Sequence, residues 1–322
     1  MKRERLLIVA GFGLVVVLAL LLWIGFGGRT PTLDEQFTEA AKRGDVKLVA
    51  SLLERGVDPN AEVKDGETAL MLAVRHDRTD VVNLLLNKGA DINVKREKGR
   101  TLLMYAAGCG SVDMLNLLID KGISVNARTE EGGTALMDAC YHGNVRSVEL
   151  LVDRGADVNA KNEKGRTPLM YAMLLGNVQV VDLLVDRGAD VNARNEDGWT
   201  SLIHAALYGH PDVIKILLEK GANINSKSSE GQTALITGAS FGNTRVVELL
   251  VDKGADINAQ LENGRTALMW SITCDHREVM RLLVEKGADV NAVARDGNTA
   301  LSLAEVTDKS DVVQYLKAHG AK

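Results

Sequence analysis

Residues 165–197 read GRTPLMYAMLLGNVQVVDLLVDRGADVNARNED, and this pattern returns every 33 residues along most of the 322-residue chain. Each copy has a threonine at the place of Thr167, with no insertion or deletion between copies. A fixed period of this length is typical of an array whose units stack on their neighbours. The threonine column is Thr68, Thr101, Thr134, Thr167, Thr200, Thr233, Thr266 and Thr299.

Each copy has the features of two short helices joined by turns. The threonine is a good N-cap for a first helix, because its hydroxyl can accept a backbone hydrogen bond there. Leucine and alanine follow it at a spacing of three and place one apolar face inward. A glycine such as Gly176 is suited to end this helix, and a V-x-x-L-L segment then forms a second helix that ends at Gly188. Neither helix can bury its apolar face alone, so neighbouring units must stack.

The segment Thr167-Pro168-Leu169-Met170-Tyr171-Ala172 resembles the T-P-L-H-x-A signature of the ankyrin repeat. The resemblance covers nearly all of the chain after Pro31. The fold class that it implies is all-α: an ankyrin-repeat solenoid of about nine helix-turn-helix units with finger turns. We expect a single transmembrane helix to precede this solenoid, from the separate features of the N-terminus given below. In place of the family's histidine this chain has methionine, isoleucine or serine, so we expect the side chain there to fill space by packing. These residues are Met71, Met104, Met137, Met170, Ile203, Ile236, Met269 and Ser302.

The two ends of the array are predicted to be capping units. Terminal repeats need a polar outer face, and the last copy has Glu305 and Lys317 where the others are apolar. In the first copy Ser51 replaces a leucine. We therefore expect an ankyrin-repeat domain over 34–322 whose N-cap unit is 34–63, whose repeats are 64–296 and whose C-cap unit is 297–322.

The N-terminus has a different composition. Residues 6–28 have no charge, and at about 1.5 Å per residue they can span a bilayer of roughly 30 Å. We interpret them as a transmembrane signal anchor in the lipid bilayer, with 1–5 as a basic cytoplasmic tip and 29–33 as a linker. Lys2, Arg3 and Arg5 precede this run and only Arg29 follows closely, which places the ankyrin domain outside the cytoplasm, in the periplasm if the source is bacterial.

Two alternatives to this topology stay open. A cleaved secretory signal also begins with basic residues, although its apolar part is usually about 7–15 residues long and ends at small residues. Cleavage would release a secreted ankyrin-repeat binder, inhibitor or effector. The second alternative is the inverted topology, with the array in the cytoplasm. It stays open because the resemblance is to a family whose arrays are mostly cytosolic interaction modules.

Composition and motifs argue against several classes of function. A formal charge of −5 gives no reason to bind nucleic acid, and three cysteines cannot form a disulfide framework. His76, Cys109 and His142 share one column, but stacked helices lie about 10 Å apart, too far for one zinc ion. The recurring G-A-D aspartates follow the repeat and are explained by its turns. We expect no enzyme activity, no metal, no cofactor and no small-molecule substrate.

The family resemblance implies that a protein partner binds to the concave side, which is built from first helices and finger tips. Tyrosine, tryptophan and arginine often anchor such interfaces, and seven of the eight aromatic residues after Phe37 fall in these columns. We therefore predict a membrane-anchored scaffold with a partner-binding strip. Its residues are Arg100, Tyr105, Tyr141, His142, Arg166, Tyr171, Trp199, His204, Tyr208, Phe241, Arg265 and Trp270. Any one of them could instead be a half-buried packing residue.

Overall fold

A computed structural model describes residues 31–63, 66–306 and 309–322 of the chain. The described residues form 18 α-helices, arranged along the chain as nine pairs. The first helices of the pairs are α1 (Leu33–Arg43), α3 (Ala69–Arg75), α5 (Leu102–Cys109), α7 (Ala135–Tyr141), α9 (Pro168–Ala172), α11 (Ser201–Tyr208), α13 (Ala234–Ser240), α15 (Ala267–Thr273) and α17 (Ala300–Val306). The second helices are α2 (Val46–Glu54), α4 (Thr79–Asn87), α6 (Val112–Asp120), α8 (Val145–Asp153), α10 (Val178–Asp186), α12 (Pro211–Glu219), α14 (Thr244–Asp252), α16 (Arg277–Glu285) and α18 (Ser310–Ala318).

These helices belong to two compact units. In the smaller unit, which holds the described residues up to 97 together with 116–123, α1 packs on α3 and α2 packs on α4. The larger unit comprises 98–115 and the described residues from 124 to 322. Within it the first helices pack in one series from α5 to α17, and the second helices pack in a parallel series from α8 to α16.

The threonine column begins the first helices as predicted. At Thr200, for example, the hydroxyl accepts a hydrogen bond from the Ile203 amide at 3.4 Å. The same bond forms at all the remaining threonines of the column except Thr101. The Thr101 amide instead lies 3.5 Å from the Met104 sulfur. The column therefore fixes where each first helix starts.

The residues at the family's histidine position are buried, which confirms the packing prediction. Met71, Met104 and Met269 are each 1% exposed, and both isoleucines of the column are fully buried. Ser302, in the last repeat, is half-buried, and its hydroxyl accepts a hydrogen bond from the Thr299 amide at 2.9 Å. A thioether or branched alkyl group thus fills the core here, without any imidazole hydrogen bonds.

The asparagine in most of the turns at the G-A-D-x-N position connects one repeat to the next. The Asn192 side chain donates to the Gly221 carbonyl at 3.0 Å and accepts from the Asn223 amide at 2.8 Å. Asn60, Asn126, Asn159 and Asn291 make the same two bonds. These side chains therefore join the turn after one second helix to the turn after the next.

The finger turns connect each second helix to the first helix of the next repeat. In the larger unit they also contact one another through their backbones. The Ser229 amide donates to the Asp197 carbonyl at 2.9 Å, and equivalent bonds join each neighbouring pair of fingers from Lys98 to Arg295. Gly198 has a positive φ of 76° at the tip, and a Cβ there would lie 2.9 Å from the Ser229 nitrogen. Glycine is needed at this tip both for its φ and for the close approach of the next finger.

The polar end residues are exposed. Ser51 faces solvent on α2, and Lys317 lies 3.1 Å from Glu305 across the last repeat. The first helix begins slightly earlier than expected, with Thr32 as its N-cap.

The predicted basic tip, the transmembrane helix and the first two residues of the linker, 29 and 30, lie outside the described residues. Among the described residues, no helix is both long and apolar enough to cross a membrane.

Candidate partner-binding groove

A groove lies on the first-helix side of the larger unit, across α7, α9 and α11 and the fingers beside them. Its volume is about 340 Å³. Six residues of the predicted strip line it together with five that the strip did not include, and we call this set the central groove. The six are Tyr141, Arg166, Tyr171, Trp199, His204 and Tyr208, and the five are Met170, Leu174, Asn195, Asp197 and Leu207.

Two tyrosines form one wall of the central groove. Tyr141, the last residue of α7, is 44% exposed. Its ring meets the half-buried Tyr171 ring edge-on, with centroids 6.4 Å apart and planes at 64°. The Tyr171 hydroxyl accepts a hydrogen bond from the Asn162 side chain at 3.0 Å. Burial raises the pKa of Tyr171, so its hydroxyl stays protonated at neutral pH. Tyr171 is thus held in place, while Tyr141 remains open to a ligand.

Trp199 is supported from two sides. Its amide donates to the Asn195 side-chain oxygen at 2.7 Å, which fixes the finger turn, and its ring lies edge-on to the His204 ring at 5.2 Å. His204 is only 8% exposed, and its Nδ1 lies 2.9 Å from the Thr200 carbonyl oxygen. Burial lowers the pKa of His204, which favours the neutral imidazole. His204 therefore acts mainly as a support for Trp199 rather than as an exposed contact.

The first helix in the middle of the groove is unusually short. α9 ends at Ala172, and the Leu174 amide then bonds to the Tyr171 carbonyl three residues back, at 3.2 Å. A tighter last turn of this kind is common at helix ends. Leu175 follows and is 53% exposed.

Leu175 begins a row of exposed apolar side chains, one from each of three consecutive repeats. Tyr208 is 42% exposed and Phe241 is 57% exposed, each at the eighth position after its repeat's threonine. We call Leu175, Tyr208 and Phe241 the apolar row. Monomeric proteins seldom expose large contiguous apolar patches, and such patches often mark binding surfaces.

Two arginine–aromatic pairs of the predicted strip lie on either side of the groove. The Arg100 guanidinium lies over the Tyr105 ring, 5.0 Å from its centroid, and 2.9 Å from the Asp138 carboxylate. Arg265 lies over the Trp270 ring at 5.6 Å and pairs with Asp296 at 3.3 Å. Both guanidinium groups are therefore already neutralised and stacked within the chain.

Arg166 occupies the same column as those two arginines, but its surroundings differ. Its side chain is exposed, and within the described residues its guanidinium makes no ion pair, hydrogen bond or ring contact. The reason lies in the next repeat. Asp138, the partner of Arg100, lies 38 residues after it. The residue at the equivalent place after Arg166 is His204, which is uncharged. Arg166 is thus a cation in the groove that forms no ion pair within the described residues.

The remaining predicted residue, His142, is exposed at the end of α7 and lies edge-on to Tyr141 at 5.0 Å. Sequence reasoning missed Leu174, Leu207 and Leu175 because it considered aromatic, histidine and arginine side chains but no aliphatic ones. The signal was present, since these leucines occupy the same seventh and eighth positions as Tyr141 and Tyr208. Asn195 and Asp197 belong to a finger, and no pattern distinguishes them from their equivalents in other repeats.

No group of three histidine, cysteine, aspartate or glutamate side chains in the described ranges is arranged to hold a metal ion. Cys140 is fully buried, and burial raises the pKa of its thiol far above the ordinary value. Cys109 and Cys274 are exposed.

Comparison with known proteins identifies the family. The family model for ankyrin repeats (three copies) matches the chain in overlapping segments at 37–129, 80–162, 127–195, 192–261 and 258–322. The chain is an ankyrin-repeat protein. Its array of repeats implies a scaffold for protein–protein interaction, and the fold is typically that of an interaction domain rather than an enzyme.

One solved structure similar to this ankyrin-repeat protein is the ankyrin repeat domain of human ASB11. The two are 29% identical, with a TM-score of 0.64, over 69% of this chain and 99% of that one. No curated protein matches the sequence significantly.

Proposed function

We propose that this ankyrin-repeat protein is a membrane-anchored scaffold that binds a protein partner through the central groove and the apolar row. Residues 6–28 are the anchor in this proposal, and the repeats lie outside the cytoplasm.

The observation that carries the binding proposal is the convergence of exposed aromatic and apolar side chains on one surface. Tyr141, Tyr208, Leu175 and Phe241 are each at least 42% exposed, although burying them would be favourable. Tyrosine also loses little rotamer freedom on binding. The supports beneath the groove, such as the hydrogen bond from Asn162 to Tyr171, keep its walls in one arrangement before a partner arrives.

The test is to replace two exposed rings that support nothing else in the core. The variant Tyr141→Ala/Tyr208→Ala removes both, whereas truncating the half-buried Tyr171 or Trp199 would also disturb packing. The full-length protein is cross-linked in its native membrane, and its cross-linked partners are identified by mass spectrometry. At least one partner found with the wild type should disappear with the double variant.

Tyr315→Ala is the control for the loss of a tyrosine outside the groove. Tyr315 is a half-buried tyrosine on α18, a second helix far from the groove in sequence, and it lies outside the predicted columns. Partners should be retained with this variant. An identical set of partners for the wild type, the double variant and the control would refute binding through the groove.

The membrane part of the proposal is supported by the uncharged run of 23 residues and by the basic residues before it. A reporter enzyme fused after Lys322 that is active only outside the cytoplasm tests the orientation, and activity only inside would reverse it. The mass of the mature chain tests the alternative of a secreted binder. A mass lacking residues 1–28 would show cleavage, whereas the full mass, with the chain resistant to alkaline extraction from membranes, supports the anchor.

A further inference from the structure

We infer that the central groove recognises an extended peptide segment that has an apolar side chain next to a carboxylate, and that Arg166 binds this carboxylate. The inference rests on the proposed function, since it names the chemistry of the partner at the same groove.

The argument starts from the three arginines that share one column. Arg100 has Asp138 at 2.9 Å and Arg265 has Asp296 at 3.3 Å, and each also covers an aromatic ring. Arg166 has neither an acidic partner nor a ring beneath it among the described residues. The chain itself thus shows what satisfies an arginine at this position, which is a nearby carboxylate from the following finger or first helix. At Arg166 that carboxylate is left for a ligand to supply.

An arginine is well suited to this role. Its planar guanidinium can donate two parallel hydrogen bonds to one carboxylate, which adds direction as well as charge. Two of its neighbours do not compete for it, because burial favours the neutral form of His204 and the Tyr171 hydroxyl is protonated.

The apolar side chain of the peptide follows from the walls beside Arg166. Tyr141, Tyr171, Leu174, Trp199 and Leu207 all line the central groove with Arg166. A space of about 340 Å³ between them accommodates one or two large side chains, such as leucine or tyrosine. A peptide lying across the repeats would continue onto the apolar row.

Asp197 limits the charge pattern of the peptide. It also lines the groove and is exposed, and it stands 31 residues after Arg166, the separation at which Arg265 pairs with Asp296. Here the two side chains are more than 4 Å apart and form no ion pair, so both charges face the groove. The peptide should therefore have its acid on the Arg166 side of the apolar residue and a neutral or basic residue on the Asp197 side.

The experiment selects peptides with the full-length protein reconstituted in a lipid nanodisc. A phage-displayed library has a central leucine or tyrosine and random residues on both sides. The best peptide is then synthesised with its acidic residue and, separately, with the uncharged amide in its place, and both affinities are measured by fluorescence anisotropy. We expect selection of an aspartate or glutamate on one side only, and about tenfold weaker binding by the amide peptide, a loss typical of one charge-assisted hydrogen-bonded pair.

Variants in one column provide the controls. With Arg166→Gln the acidic and amide peptides should bind equally, and with Arg166→Glu a new selection should favour lysine or arginine at that side. Arg265→Gln changes an arginine of the same column that is already paired, so it should leave the tenfold preference intact.

The outcomes separate this inference from the proposed function. Selection of no peptide, selection without an acidic preference, or an acidic preference that persists with Arg166→Gln would overturn the role of Arg166. If the peptides bind Tyr141→Ala/Tyr208→Ala as tightly as the wild type, the groove itself is refuted as the binding surface. Loss of all peptides with that double variant, together with loss of only the acidic preference with Arg166→Gln, supports both proposals.

Discussion

Substituting alanine at two glycines separates the cost of backbone strain from the value of contact between fingers. Gly188 ends α10 with a φ of 88°, and a Cβ there would have no atom within 4 Å. Gly198 has a similar φ of 76°, but a Cβ there would approach the Ser229 nitrogen at 2.9 Å and two Ser228 backbone atoms at 3.2 Å.

The left-handed conformation costs an L-residue about 1–2 kcal/mol, and Gly188→Ala should lower the free energy of unfolding by that amount. The backbone strain of Gly198→Ala should lower the free energy of unfolding by the same amount. A further loss of about 1–3 kcal/mol is expected because the next finger must move away from the new methyl group. This movement also breaks or weakens the hydrogen bond from the Ser229 amide to the Asp197 carbonyl, which is 2.9 Å long. With about 1 kcal/mol for this hydrogen bond, a total loss of about 3–6 kcal/mol is expected for Gly198→Ala.

Urea unfolding followed by circular dichroism measures the two losses on the purified chain in a mild detergent. Hydrogen exchange at the Ser229 amide reports the finger contact directly, and it should become faster with Gly198→Ala only. Equal destabilisation by the two substitutions, with unchanged exchange at Ser229, would refute the reasoning that the fingers support one another.

Three further predictions concern the turns, the thiols and the buried histidine. Asn192→Ala removes two hydrogen bonds between repeats and should lower the free energy of unfolding by about 1–2 kcal/mol in urea, since water replaces part of what is lost at this exposed site; no change would show that the asparagine turns do not couple repeats. A maleimide should label Cys109 and Cys274 in the folded protein but Cys140 only after unfolding, because the thiol of Cys140 is buried and its pKa is raised; rapid labelling of all three would contradict its burial. Burial lowers the pKa of His204 from 6.5, so the contribution of the neutral imidazole to the free energy of unfolding is complete above about pH 6.5 and is lost as the pH falls toward the lower pKa of the folded state. An NMR titration of His204 with a midpoint at or above 6.5 would contradict this.

The repeat and its helices could be predicted from the sequence because their determinants are local. The hydroxyl of Thr200 caps α11 through the amide only three residues further along the chain, and the same short-range bond returns at every threonine of the column except Thr101. Burial of Met170 and its equivalents also follows from position in the repeat, since the residues on one face of each first helix meet the next repeat.

The state of Arg166 could not be predicted in this way. Arg100, Arg166 and Arg265 occupy equivalent places in the repeat, and whether each is paired depends on the residue that the next repeat presents and on the rotamer it adopts. The short helix α9 and the exposed Leu175 likewise depend on how one particular turn closes. A single sequence lists the side chains in each column but does not show which of them are already satisfied by a neighbour.

The central claim is that the groove around Tyr208 is where a protein partner binds. A photoreactive benzophenone amino acid in place of Tyr208, and separately in place of Tyr315, tests it in the full-length chain in its source cells. The account predicts a covalent partner adduct from position 208 after irradiation and none from position 315. Adducts from position 315 alone, or the same adducts from both positions, would contradict it.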